Sequence, residues 1–223
     1  MATYLITGAN RGIGLSLAQQ LAARGDAVIG VCRTSSPALA ATGAQVIDGV
    51  DVADAGAVAS LPQRVGDRRI DGLLLNAGIF TNETLDALDA EAFARMQRQF
   101  EVNTLGPLRV VAALQGHLAD GAKVGIITSR MGSVADNGSG AYYGYRASKA
   151  AVNAIGKSLA VDLAPRGVAV VLLHPGRVAT DMLGGHGDIG PDEAAANLIA
   201  RMDALTLADT GSFWHANGTP LPW

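Results

Sequence analysis

The residues Thr3-Tyr4-Leu5-Ile6-Thr7 favour a strand and run straight into Gly8-Ala9-Asn10-Arg11-Gly12-Ile13-Gly14, after which an amphipathic stretch continues to Arg24. No other part of the chain narrows the possible folds so far, because it dictates a strand, a glycine turn and a helix in immediate succession. Gly8 permits a tight turn, Gly12 lets the backbone approach a pyrophosphate, and Gly14 allows the helix to pack closely on the strand. The start of that helix offers unpaired N–H groups and the positive end of its dipole to an anion. The spacing is Gly-x-x-x-Gly-x-Gly, not the commoner Gly-x-Gly-x-x-Gly, and an ordinary glycine-rich turn is the alternative. On the first reading Gly8, Asn10, Arg11, Gly12, Ile13 and Gly14 face a dinucleotide.

The same alternation continues along the chain. Ala27 to Cys32 reads as a second strand that ends at Arg33. At this place in a dinucleotide-binding unit an acid suits a free ribose 2′-hydroxyl, whereas an arginine suits a 2′-phosphate. Arg33, helped by Arg11, therefore points to NADP over NAD, the alternative being a solvated arginine at a strand end. A third strand over 44–50 leads to Asp51-Val52 and a helix over 54–65. Asp51 either accepts from an adenine amino group, with Val52 beside it, or serves as a turn or cap residue.

Ile70 to Leu75 is a continuous apolar run, as expected of a strand buried on both faces, and it closes with Asn76-Ala77-Gly78, whose small residues leave room for a cofactor. A helical pattern from Leu85 to about Leu118 is broken at Gly106-Pro107 and carries Asn103 just before the break. There an altered backbone has room to hold a water, unless Asn103 is simply an exposed helix residue. Strands over 123–128 and 168–173, a helix from Tyr145 to about Ala164, a last helix over 191–205 and an edge strand over 211–216 complete the pattern. Alternating strands and helices predict a Rossmann-type, doubly wound parallel α/β sheet of about seven strands with helices on both faces, in a single domain spanning 1–223.

Composition agrees with that class. A chain of 223 residues, 49% hydrophobic and only 17% charged, can bury a substantial core and does not have the makeup of disorder. A net charge of −3 with no run of Lys or Arg argues against nucleic acid and anionic membrane as partners. The single cysteine, Cys32, cannot form an intrachain disulfide and reads as a buried, inert thiol, which suits a cytoplasmic protein. No export signal precedes the first strand and no apolar run approaches ~18 residues, so a soluble, unexported protein is expected. His117, His174, His186 and His215 lack ligand spacing, and no metal site is expected.

Chemistry enters with Tyr145-Arg146-Ala147-Ser148-Lys149. Residues four apart lie on one helix face, so the phenol and the ammonium can act on one ligand. A fixed positive charge favours the phenolate and should lower the tyrosine pKa from its ordinary ~10. A solvated helix face would look the same by spacing alone. Ser129, at the carboxyl end of the fifth strand, stands where ligands collect on an open α/β sheet.

Taken in order, these residues resemble the short-chain dehydrogenase/reductase family in its compact size class, over nearly the whole chain. Thr7 to Gly14 looks like that family's TGxxxGxG turn, Asn76-Ala77-Gly78 like its NAG motif, and Asn103, Ser129, Tyr145 and Lys149 like its catalytic tetrad. Pro175-Gly176-Arg177-Val178-Ala179-Thr180 looks like the PG motif whose neighbours contact the nicotinamide, which adds Pro175, Gly176, Val178 and Thr180 to the cofactor contacts. Ser133 matches the family's distance to the tyrosine, but Ser129 matches its place at the strand end, and loops change length more readily than strand ends. The motifs Ser-Arg-Met-Gly-Ser and Tyr-Arg-Ala-Ser-Lys, with the ending Gly-Thr-Pro-Leu-Pro-Trp, are similar to the C-factor-like and sniffer-like branch.

The resemblance implies carbonyl–alcohol interconversion with NADP(H). Tyr145 would be the general acid or base, Lys149 its tuner and a ribose contact, Ser129 the group that polarises the carbonyl, and Asn103 the holder of a relay water. It also implies self-association as a homodimer or homotetramer. The glycine-rich segment 181–190 is expected to form a mobile, open lid that accepts a range of aldehydes or ketones. A noncatalytic NAD(P)-binding signalling or sensor protein is the alternative from another class.

Overall fold

The computed structural model describes residues 1–223. Its strands are β1 (Thr3–Thr7), β2 (Ala27–Val31), β3 (Gln45–Ile47), β4 (Ile70–Leu75), β5 (Leu118–Ile127), β6 (Ala169–His174) and β7 (Ser212–His215). They form one sheet in the order β3-β2-β1-β4-β5-β6-β7, and every neighbouring pair is parallel. The principal helices are α1 (Gly12–Ala23), α2 (Pro37–Ala40), α3 (Ala55–Ala59), α4 (Leu61–Val65), α5 (Ala90–Phe100), α6 (Gly106–Leu114), α7 (Tyr143–Leu163) and α8 (Pro191–Ala204). This is the doubly wound Rossmann-type architecture expected from the alternation.

The apolar strands face two cores at once. Side chains alternate across a strand, so Leu5, Leu73, Val124 and Val170 join the core covered by α3, α4, α6 and α7. Their neighbours Ile6, Leu74 and Val171 join the core covered by α1 and α8. Cys32 is buried in this second core and burial pushes its thiol pKa up. Between β1 and β4 the order of strands reverses, which opens a crevice at their carboxyl ends.

Several boundaries differ from the sequence reading, each for a local reason. The helix expected over 54–65 is two short helices, because Ser60-Leu61-Pro62 restarts the backbone at a proline without an N–H. The helix expected from Leu85 begins at Ala90, where the Asp89 side chain accepts from the Ala92 N–H and caps it. The fifth strand begins at Leu118 instead of Lys123, with a register shift opposite β4. Between α5 and α6 the chain takes a π-helical turn over Glu101–Leu105, so the break lies on Asn103 itself. No helix is long and apolar enough to cross a membrane.

Candidate active site

The crevice between β1 and β4 deepens into a cleft of about 380 Å³. One end is backbone. Gly8 (φ 68°) turns the chain out of β1, and α1 begins with no side-chain cap and no acidic residue in its first turn. Its N-terminal N–H groups are therefore left for a ligand anion. A Cβ on Gly14 would lie 2.1 Å from the Gly8 carbonyl oxygen, so only glycine lets the helix start this close to the turn. Gly8, Asn10, Arg11, Gly12 and Ile13 line the cleft, whereas Gly14 supports it from behind.

Next come the residues expected at the adenosine. Arg33 lies just past β2, exposed at the cleft and outside every ion pair of the chain. Arg11 instead pairs with Asp181 at 3.1 Å, joining the glycine turn to the segment after Thr180. Asp51 and Val52 also line the cleft, but the Asp51 carboxylate accepts from the Ala53 N–H at 3.0 Å and pairs with Arg98 at 2.6 Å. Burial pushes the Asp51 carboxyl up, while Ala53, Arg98 and Arg33 outweigh it and leave the group below its ordinary pKa. Asn76, Ala77 and Gly78 form the floor. The Asn76 amide donates to the carbonyls of Thr7 and Gly8, and the Thr7 hydroxyl accepts from the Asn76 and Ala77 N–H groups, so β1 and β4 end as one unit.

Tyr145 and Lys149 line the other end of the cleft. The Lys149 ammonium donates to the Ile127 carbonyl at 2.9 Å, and the Thr128 hydroxyl donates to Asn153 at 2.7 Å. These bonds bolt α7 to the end of β5, and Ser129 follows at once with its hydroxyl accepting from the Met131 N–H. Lys149 lies 5.7 Å from the centre of the Tyr145 ring. Burial pushes the Tyr145 pKa up to about 12, opposed by a hydrogen bond with Ser129, although part of the tyrosine remains accessible. Burial also lowers Lys149 to about 8. The expectation that the lysine depresses the tyrosine is not met: burial pushes the phenol up, and the hydrogen bond with Ser129 is what opposes it.

Asn103 is buried beside the cleft and does not line it. Its side-chain oxygen accepts from the Ile79 N–H at 2.8 Å, and its amide donates to the Ile79 carbonyl at 2.9 Å and to the Ser148 hydroxyl at 3.1 Å. Pro175 and Thr180 line the cleft; Val178 is buried behind it and Gly176 (φ 98°) turns the chain away from β6. Burial holds His174 down at about 3, so its ring stays neutral. The segment 181–190 is short and closed at its base, with the Ala179 N–H donating to Ile189 and the Asp188 N–H to Arg177. No group of His, Cys, Asp and Glu is arranged to hold a metal.

Sequence reasoning passed over Phe80, Glu83 and Gln99. Phe80 packs edge-on against Tyr145 with ring centres 4.9 Å apart, and Glu83 and Gln99 are buried polar residues hydrogen-bonded together. A signal for Gln99 was present, since it lies four residues before Asn103 on a shared face. Nothing in the sequence marked Glu83.

Comparison with known proteins agrees with this geometry. The sequence pattern of the family described as short chain dehydrogenase matches residues 2–188. The 1-hydroxy-2-glutathionyl-2-methyl-3-butene dehydrogenase of a Rhodococcus species is 44% identical over 229 aligned positions, covering 100% of both chains. Carbonyl reductase Sniffer of D. melanogaster superposes with a TM-score of 0.90 at 28% identity, covering 100% of each chain. An NADPH-bound carbonyl reductase from chicken fatty liver superposes with a TM-score of 0.87 at 28% identity, covering 100% of this chain and 99% of that one. A glycine turn open to an anion, a strand-end serine and a Tyr–Lys helix face thus occur on a matching fold, and the chain belongs to the short-chain dehydrogenase/reductase family of oxidoreductases.

Proposed function

We propose that this protein is an NADP(H)-dependent reductase that interconverts an aldehyde or ketone and the corresponding alcohol, with Tyr145 as the general acid and base. The observation that carries the reading is the pairing of Tyr145 and Lys149 at the inner end of a cleft whose outer end is an uncapped helix start, with the buried Ser129, which does not itself line the cleft, hydrogen-bonded to the tyrosine. A nicotinamide dinucleotide fits these residues: the α1 N–H groups suit its pyrophosphate, and the unpaired Arg33 suits a 2′-phosphate. When bound, that cofactor supplies or takes up the hydride.

The chain's own residues do the rest. Tyr145, neutral at physiological pH with its pKa pushed up to about 12 by burial, carries the proton that a carbonyl oxygen needs on reduction. Ser129 donates to the same oxygen and polarises it. As the phenol loses its proton, the nearby Lys149 ammonium stabilises the phenolate, an interaction that burial strengthens. Asn103 anchors the Ile79 backbone through its side chain, and Pro107 has no N–H to return to the Asn103 carbonyl four residues earlier. In this reading Asn103 also holds the water that replenishes Tyr145.

Substrate choice rests with segment 181–190 and Met182 at the cleft mouth, which suit a range of carbonyls. Because the Rhodococcus relative is named for a 1-hydroxy-2-glutathionyl-2-methyl-3-butene, alcohols carrying a glutathionyl group belong in the first panel to test. Turnover of a panel of carbonyls and alcohols is measured with NADPH and with NADH, for the wild type and for Tyr145→Phe. The variant should lose about 10²–10⁴ in kcat while binding NADPH as the wild type does. Undiminished turnover in Tyr145→Phe would remove the tyrosine from the mechanism.

A further inference from the structure

Residues 79–83 run as an irregular strap from the π-helical turn that carries Asn103 to the head of α7, and the strap ends in a charge that the mechanism above does not use. Glu83 is only 1% exposed, yet it belongs to no ion pair. Burying a carboxylate is costly unless hydrogen bonds replace its water, and here three donors do so. The Thr81 hydroxyl and the Gln99 amide donate to one oxygen, and the Gly144 N–H donates to the other at 3.1 Å. The Glu83 backbone carbonyl also accepts from the Tyr142 N–H at 2.8 Å.

The helix at the receiving end needs this help. α7 has no side-chain cap of its own, and it is entered through Ala141 (φ 51°) and Tyr142 (φ 55°), two consecutive non-glycine residues in the left-handed region. Such a backbone persists only where its surroundings hold it. A Cβ on Gly144 would lie 2.4 Å from the Gln99 amide nitrogen, so the clamp presses directly on the helix backbone. The next residue is Tyr145, and Phe80 on the same strap packs against its ring and against Tyr142.

We propose that Glu83 is a positioning residue whose carboxylate clamps the first turn of α7 and so holds the Tyr145 hydroxyl toward Ser129. The inference rests on the reading of Tyr145 as proton donor. Its content is hydrogen-bond satisfaction at the Gly144 N–H, with the charge serving the two further donors.

The test compares Glu83→Gln, Glu83→Asp and the double exchange of Glu83→Gln with Gln99→Glu against the wild type and Tyr145→Phe, using NADPH and the best carbonyl of the panel. Glutamine must turn an NH₂ toward a cluster of donors, and aspartate withdraws the carboxylate by one methylene. Each folded single variant should lose about tenfold in kcat, because small misplacements of a reacting group are costly, while the Kd for NADPH stays within about twofold. In the exchange, the oxygen of the introduced amide can accept from the Gly144 N–H while its NH₂ donates to the introduced carboxylate. That pairing should return kcat to within about threefold of wild type. Glu83→Asp keeps the comparison open should Glu83→Gln not fold. Wild-type kcat in a folded single variant, with Tyr145→Phe inactive, would overturn the role of Glu83, as would a parallel loss of NADPH affinity. A fully active Tyr145→Phe would instead overturn the reading of the tyrosine.

Discussion

Two of the helices that begin at the carboxyl edge of this sheet treat their N-termini in opposite ways. α1 (Gly12–Ala23) begins with no side-chain cap from Arg11 and no acid in its first turn, facing the cleft. α7 also lacks a cap of its own, but the distant Glu83 carboxylate reaches its second residue and satisfies the Gly144 N–H. Every helix start presents unpaired N–H groups. Where the protein supplies an acceptor the helix becomes a fixed platform for its side chains, and where it withholds one the backbone itself becomes the binding site. In the function proposed, one helix contributes main chain to an anion and the other contributes Tyr145 and Lys149 to chemistry.

That contrast breaks most severely at Gly14. The change Gly14→Ala should force the first turn of α1 off Gly8, because its Cβ would lie 2.1 Å from the Gly8 oxygen and 2.6 Å from the Asn76 amide. Overpacking of this kind costs about 1–3 kcal/mol, and more where the obstacle is backbone. Loss of NADPH binding in calorimetry and a lower Tm are expected. Unchanged binding would show that the turn is not the anion site.

A smaller effect sharpens the cofactor end. Arg33→Ala should weaken NADPH by about 10–100-fold, the worth of charge-assisted hydrogen bonds to a phosphate, and leave NADH nearly unchanged. Equal weakening of both, read from kcat/KM, would deny Arg33 its 2′-phosphate.

The smallest expected effect concerns the tyrosine end without cofactor. Lys149 titrates at about 8 in the folded chain, below the ordinary value of about 10.4, so the unfolded chain binds more protons between those values. Stability should therefore rise as pH increases from about 8 to about 10, and the gain is lost as pH falls through 8. Tyr145, raised to about 12, acts in the opposite direction, and stability should fall from about pH 10 to 12. Denaturant melts across this range should show the rise in wild type and not in Lys149→Met. A rise of equal size in that variant would assign it to other groups.

Much of this was legible along the chain because its causes are local. The β1 turn, the continuous apolar run of β4 and the alternation of elements follow from glycine placement and from strands buried on both faces. The Tyr145–Lys149 pair needed only helical spacing. Other features depended on partners far away in sequence. Asp51 read as either an adenine contact or a turn residue, and the structure lines the cleft with it while pairing it with Arg98; Asn103 read as a water holder or an exposed helix residue, and it is buried with its side chain gripping Ile79. Glu83 stands among Thr81, Asn82 and Thr84, which reads as an ordinary polar loop.

The sequence by itself determined the fold class, the glycine turn and the placing of Tyr145 and Lys149 on one helix face, since periodicity, turn chemistry and residue type act within a few positions. Only the tertiary structure decided which groups are desolvated. It raised Tyr145, lowered Lys149, spent Asp51 on an arginine and buried Glu83 under the head of α7. Burial is set by the packing of elements from the whole chain, and the strength of a charge or a hydrogen bond depends on how much water that packing excludes.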